Sequence, residues 1–299
     1  MKRLLYILIT LTLFGCQTDI KLDVNYLYDN GNYDVFPRDV LIGIGNISAV
    51  DSLKEKLSKA SPTEFSLDVY PFQFGPEYNL NDESLENVHE VNNNWPLGFL
   101  TDFSSIEKLS ISSVCSFTFK INSKNNIKHF QLSSHSCGRF SADEPIEFNK
   151  LKNLESIHIR RYVFSSSELK SINTLKNLES LTLTDCELDL ADLIPLKGQI
   201  RYLNLTDSRV LNWNLLSEFK DLEVLYIGNI ENIVLRKKEN INFFSSFRKL
   251  RELSVKRNSI NNLECIKNLN NLETLYIQKT EIKNIPIELS KRENLRIIK

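Results

Sequence analysis

Glycine is scarce in this chain: nine among 299 residues, beside eight prolines and one methionine, the initiator. Phosphate-cradling loops need glycine so that the backbone can approach the ligand. One partial candidate, Gly43-Ile44-Gly45-Asn46, lies between a strand-like and a helix-like stretch. It lacks the third glycine and the ribose-binding acid of a dinucleotide fold, so no cofactor is expected there. Histidine is scarcer still, with His89, His129, His135 and His158. None has the cysteine or carboxylate spacing of a zinc site, and no Ser-His-Asp set can be assembled from them. These absences argue against an enzyme. An excess of charge is missing too. Lys+Arg is 37 and Asp+Glu is 38, a net charge of −1. Nucleic acid binding needs a strong positive field, so nucleic acid is not an expected partner. With 41% hydrophobic and 25% charged residues, the chain is not expected to be disordered.

The apolar run Leu4 to Phe14 is eleven residues long, short of the roughly 20 that a spanning helix needs. With Lys2 and Arg3 before it and Gly15-Cys16 after it, the run reads as a secretory signal over residues 1–15. Its removal would leave 37 − 2 = 35 basic against 38 acidic side chains, a net charge of −3. Leu13-Phe14-Gly15-Cys16 resembles a bacterial lipobox, although Phe14 is bulkier than the small residue usual at its position. The resemblance implies that Cys16 is acylated and becomes the N-terminus. Lipoproteins of that kind carry several acyl chains, whereas one alone binds a bilayer only marginally. The expected location is the cell envelope, lipid-anchored to a membrane, with the outer membrane, periplasmic or surface-exposed, as the setting.

From residue 95 onward the chain repeats. The pattern L-x-x-L-x-L, with Ile, Val or Phe as substitutes, starts at Ile106, Ile127, Leu154, Leu178, Ile200, Leu222, Leu250, Leu272 and Leu295. The spacings are 21, 27, 24, 22, 22, 28, 22 and 23 residues, within the range of leucine-rich repeats. Within each copy L-x-L turns alternate side chains inward, as a strand does. The stretch before it is apolar at every third position, as in Trp213, Leu216, Phe219 and Leu222. That period matches 3₁₀ turns, in which i and i+3 eclipse. A single coil buries too little to fold alone, so the coils must stack and share a core.

This short repeat is similar to those of bacterial internalin-like proteins, over about residues 95–299. The expectation is an α/β solenoid: a leucine-rich-repeat horseshoe with parallel strands on its concave face and 3₁₀ or irregular turns on its convex face. The position after L-x-x-L-x-L-x-x, usually Asn, holds Asn only at Asn258. Backbone pairing or water is expected to replace the missing bonds. Residues 16–94 do not fit the repeat and read as a tether and small α/β cap. Within it, 39–45 reads as a strand, 48–59 as a helix, 65–70 as a strand and 76–94 as a loop.

The side chains between inward leucines face outward. His158, Arg160, Arg161, Tyr202, Asn204, Tyr226 and Tyr276 are the candidate ligand-binding set, because tyrosine and arginine are enriched at binding hot spots. The alternative is that they are ordinary solvated strand residues. The expected partner is a protein or peptide; a glycan also suits tyrosines beside Asn and Asp. A rival reading is a structural, protective or immunity-type envelope protein acting through its edges and cap. Cys115 and Cys137 lie one coil apart and either form a disulfide or remain small buried hydrophobes. Ile297 and Ile298 lie near an edge strand through which the chain could self-associate.

Overall fold

The computed structural model describes residues 41–42, 58, 64–69, 95–112, 117–133, 139–142, 144–230, 243–260, 263–264 and 266–299. The expectations for residues 1–40, for Cys115 and Cys137, and for most of the 48–59 helix and the 76–94 loop lie outside these residues. The chain forms two compact units, Met1–Ile146 and Glu147–Lys299.

In the first unit, β1 (Leu41–Ile42), β2 (Glu64–Val69), β4 (Lys108–Ser112) and β6 (His129–Ser133) pair in parallel in that order. The short β3 (Trp95–Pro96) and β5 (Phe117–Thr118) pair separately. The register aligns Phe65, Leu109 and Phe130, and likewise Leu67, Ile111 and Leu132. The strand read from residues 65–70 is therefore a rung of the same sheet as the first repeats.

The second unit carries seven parallel strands: β7 (Ser156–Arg160), β8 (Ser180–Thr184), β10 (Tyr202–Asn204), β12 (Val224–Tyr226), β13 (Glu252–Ser254), β14 (Thr274–Tyr276) and β15 (Arg296–Ile298). The inward residues stand in register as Ile157, Leu181, Leu203, Leu225, Leu253 and Leu275, and none is more than 1% exposed. A second, short pair, β9 (Glu187–Asp189) and β11 (Arg209–Leu211), follows the turn out of β8 and β10. The fold is a leucine-rich-repeat solenoid.

The opposite wall follows the three-residue period. Leu190–Leu196 and Trp213–Glu218 are 3₁₀ helices. In the coil that follows β13, Ile266 N–H donates to Leu263 O at 3.0 Å, Leu269 N–H to Ile266 O at 3.0 Å and Leu272 N–H to Leu269 O at 3.2 Å. Two segments depart as α-helices: the single-turn Ile287–Ser290 and, longer, Ser166–Ile172, α1. The cause of α1 is local. Ser165 Oγ accepts from Glu168 N–H at 3.3 Å while Glu168 Oε2 accepts from Ser165 N–H at 2.8 Å, a capping box that fixes the first α-turn. The same buried carboxylate accepts from the Tyr162 hydroxyl.

Two expectations are corrected. The repeat pattern starts the last coil at Leu295 and turns Ile298 inward. The register instead pairs Ile297 with Leu275 and Ile298 with Tyr276. The coil is one residue shorter, and a one-residue shift exchanges the two faces of a strand. The second correction concerns the ladder between coils. Backbone pairing does join coils here, with Glu187 N–H to Tyr162 O and Arg209 N–H to Cys186 O at 2.8 Å, but at Ser208 a side chain takes the place of asparagine. Cys186 N–H donates to Ser208 Oγ at 3.0 Å, and the Ser208 hydroxyl donates to Leu183 O at 2.7 Å. Asn258 does the same further on, accepting from Ile230 N–H at 3.3 Å and donating to Ile227 O at 2.6 Å. The buried Cys186 thiol lies 3.4 Å from Ile159 O.

Candidate functional site

The outward positions of β7 to β15 form columns across the sheet. The central column runs His158, Thr182, Asn204, Tyr226, Ser254, Tyr276 and Ile298. One column toward the strand starts stand Tyr202, Val224 and Glu252, in register with one another. These positions face outward because their neighbours Leu203, Leu225 and Leu253 occupy the core.

The structure draws three of the candidate residues into one cluster. The Tyr202 and Tyr226 rings lie 5.7 Å apart at 71°, and the Tyr226 and Tyr276 rings 6.0 Å apart at 80°. Both are edge-to-face contacts, the arrangement that ring quadrupoles favour. All three side chains are half-buried. The Tyr226 hydroxyl donates to the Glu252 carboxylate, and Lys256 Nζ lies 4.6 Å over the Tyr276 ring centre. Asn204 stands beside Tyr226 in register, but its Oδ1 accepts from Thr206 N–H at 3.0 Å, so it serves its own turn.

His158, Arg160 and Arg161 form a separate group on the first strand of this unit. Two strand spacings, about 10 Å, separate His158 from Asn204 in the same column. Arg160 is exposed, and Arg161 Nε donates to Asp185 Oδ2 at 3.2 Å. Cys16, Cys115 and Cys137 lie outside the described residues.

Just beyond each strand the chain takes a left-handed turn at the same position: Arg161, Asp185, Asp207, Asn229, Arg257 and Lys279 have φ between 52° and 61°. Each of the first five directs its N–H to the carbonyl before the equivalent residue of the next coil, at 2.8 to 3.0 Å. This turn aims the charged side chains along one border of the face. Glu252 and Gly228 were missed as site residues in the sequence. Glu252 shares the column of Tyr202, which register alone reveals. A Cβ on Gly228 would meet Lys256 O at 3.1 Å, so glycine lets the two coils close together there.

Among the described residues no group of three or more His, Cys, Asp or Glu could hold a metal ion. No helix among them is long and apolar enough to cross a membrane.

The chain is similar in structure to an internalin (inlF) of Listeria monocytogenes, at 18% identity and a TM-score of 0.50, over 87% of this chain and 66% of that one. It thus spans just under two thirds of that internalin. A second similar structure is internalin C2 of the same species, at 17% identity and a TM-score of 0.45, over 65% of this chain and 80% of that one. No protein-family model and no curated protein matches the chain.

Proposed function

We propose that this chain is a non-catalytic recognition protein that binds a protein or peptide partner through its strand face. The observation that carries the reading is the contiguous cluster of Tyr202, Tyr226 and Tyr276, half-buried and edge-to-face on that face. Tyrosine supplies a large, stiff contact area with one polar tip and few rotatable bonds. Burying it against a partner costs little entropy, which is why such residues dominate binding energy. A solenoid suits this role because its coils hold the rings in fixed order on a broad surface. Strands β8 to β14 of this sheet pair with a neighbour on both sides, so recognition on their face falls to side chains.

The test is site-specific photo-crosslinking in cells, with a benzophenone amino acid at Tyr226 and, separately, at Lys176, exposed on the turn wall. A discrete protein adduct from position 226 alone is expected. An adduct from position 176 alone, or none from either, overturns the reading.

The lipobox-like Cys16 supports the second half of the proposal, that the chain is anchored to a membrane of the bacterial cell envelope. Metabolic labelling with an alkyne analogue of palmitate tests it. Incorporation that disappears in Cys16→Ala, with release of the chain from the membrane fraction, is expected. Labelling that persists in the variant overturns it.

A further inference from the structure

Charge on the strand face of the second unit is divided between its two borders. On the border where strands begin, the acids of β12 to β14 are matched. Arg251 donates to both oxygens of Glu273 at 3.0 Å, Arg201 lies 4.0 Å from Glu223, and Glu252 accepts from Tyr226. The Arg251 bonds hold the Glu273 carboxyl below its ordinary pKa. The border where strands end differs. In the coils of β13 and β14 it carries Lys256, Arg257 and Lys279, and the first acid after Lys279 is Glu281, two residues past the left-handed turn. Asp207, two coils away, lies 3.8 Å from Arg257 and is itself 39% exposed. Arg257 and Lys279 are exposed and adjacent in the left-handed column, about 4.8 Å apart by strand spacing. Lys256 joins this border to the aromatic cluster through its contact with Tyr276.

We infer that the partner presents an acidic peptide segment, in which an apolar or aromatic side chain packs on Tyr226 and Tyr276 while neighbouring carboxylates meet Lys256, Arg257 and Lys279. The inference rests on the strand-face reading proposed above and names its ligand chemistry. A carboxylate is a stronger partner for Lys256 than the ring it now covers, because two full charges replace a charge and a quadrupole. A three-cation border with its own acids across the face also orients the segment. Its acidic side faces the strand ends, and reversal sets carboxylates against Glu223, Glu252 and Glu273. A peptide fits better than an anionic glycan. Sugars stack on flat, open rings, whereas these rings meet edge to face and Lys256 occupies one face of Tyr276.

The test pans the full chain, in detergent micelles, against a phage library of random peptides about fifteen residues long, enough for an extended segment to cross several coils. Selected peptides are expected to combine Asp or Glu with an aromatic or aliphatic residue. Their affinity should fall about tenfold or more in Lys256→Glu/Lys279→Glu and again in Tyr276→Ala, and weaken as salt is raised. Should the charge reversal unfold the chain by circular dichroism, Lys256→Gln/Lys279→Gln takes its place. Neutral or basic peptides that still need Tyr226 and Tyr276 overturn the acidic ligand and leave the binding face standing. Peptides indifferent to those tyrosines, or no enrichment at all, overturn both. Tighter binding of dextran sulfate than of any peptide, lost in the same lysine variants, overturns the peptide in favour of an anionic glycan.

Discussion

Tyr226 and Tyr276 touch although a whole coil separates them. Their strands, β12 and β14, both pair with β13, whose residue in the same column is Ser254. Serine is small enough to lie beneath, 5% exposed, while the two rings close over it at 6.0 Å. The aromatic cluster thus depends on a residue with no part in its chemistry.

Ser254→Leu should separate the rings. A branched side chain in a buried slot adds volume the rings must vacate, at about 1–3 kcal/mol. The tyrosine band in near-ultraviolet circular dichroism is expected to collapse while the far-ultraviolet spectrum is retained. An unchanged tyrosine band would show that the rings do not need the gap.

Leu203 and Asn204 are sequence neighbours on opposite faces of β10. Leu203→Ala should cost about 2–5 kcal/mol by opening a cavity in the shared core. Asn204→Ala should cost under about 1 kcal/mol, since it removes one bond to its own turn at a half-buried position. Urea unfolding followed by circular dichroism measures both, and equal losses would refute the alternation.

Ser208→Ala removes an acceptor from the buried Cys186 N–H and a donor from Leu183 O. Leaving such groups unpaired costs about 2 kcal/mol, roughly 5 °C in Tm for a unit of this size. Ser208→Asn should recover most of it, because Asn258 makes the equivalent pair of bonds two rungs on. Equal melting of the two variants would argue against the ladder.

Asp207 sits at φ 61°. Asp207→Val forces a β-branched residue into the left-handed region, at about 1–2 kcal/mol, whereas Asp207→Asn should be nearly neutral because Asn tolerates that region. Thermal melting of the two variants side by side separates backbone strain from loss of charge, since both remove the carboxylate.

Stability should depend weakly on pH through exposed pairs. The hydrogen bonds from Arg251 and from Lys249 hold Glu273 and Asp221 below their ordinary values. Their contribution is present above the ordinary carboxylate range and is lost as pH falls through the lowered values. Lys267 is raised by its bond to Glu264. That contribution is present below the ordinary lysine value and is lost as pH rises through the raised one. Both limbs should flatten in high salt. Glu273→Gln should remove part of the acid limb alone, as read from urea midpoints across pH.

The rungs of the solenoid are legible in the chain because burial imposes a period. L-x-L must alternate, and a coil that cannot fold alone must recur at nearly constant length to stack. That logic marks Leu181, Leu203, Leu225 and Leu253 as inward and Tyr226 and Tyr276 as outward without coordinates. It fails for Leu295, Ile297 and Ile298, where three apolar residues satisfy two registers equally well and only pairing with β14 chooses between them. It fails again at Ser166–Ile172, where spacing by three suits a 3₁₀ turn and a capping box tips the segment to an α-helix.

Local pattern thus settles which side of a strand each residue takes, since that depends on its own neighbours and on water. Which outward residues meet is a different quantity. It depends on the volume of whatever lies in the coil between, on the lengths of the turns that set register, and on where each left-handed turn aims its charge. Ser254 between two tyrosines, Glu252 beneath one hydroxyl and Lys256 above one ring lie between 20 and 30 residues from most of the groups they organise, and stacking alone brings them together.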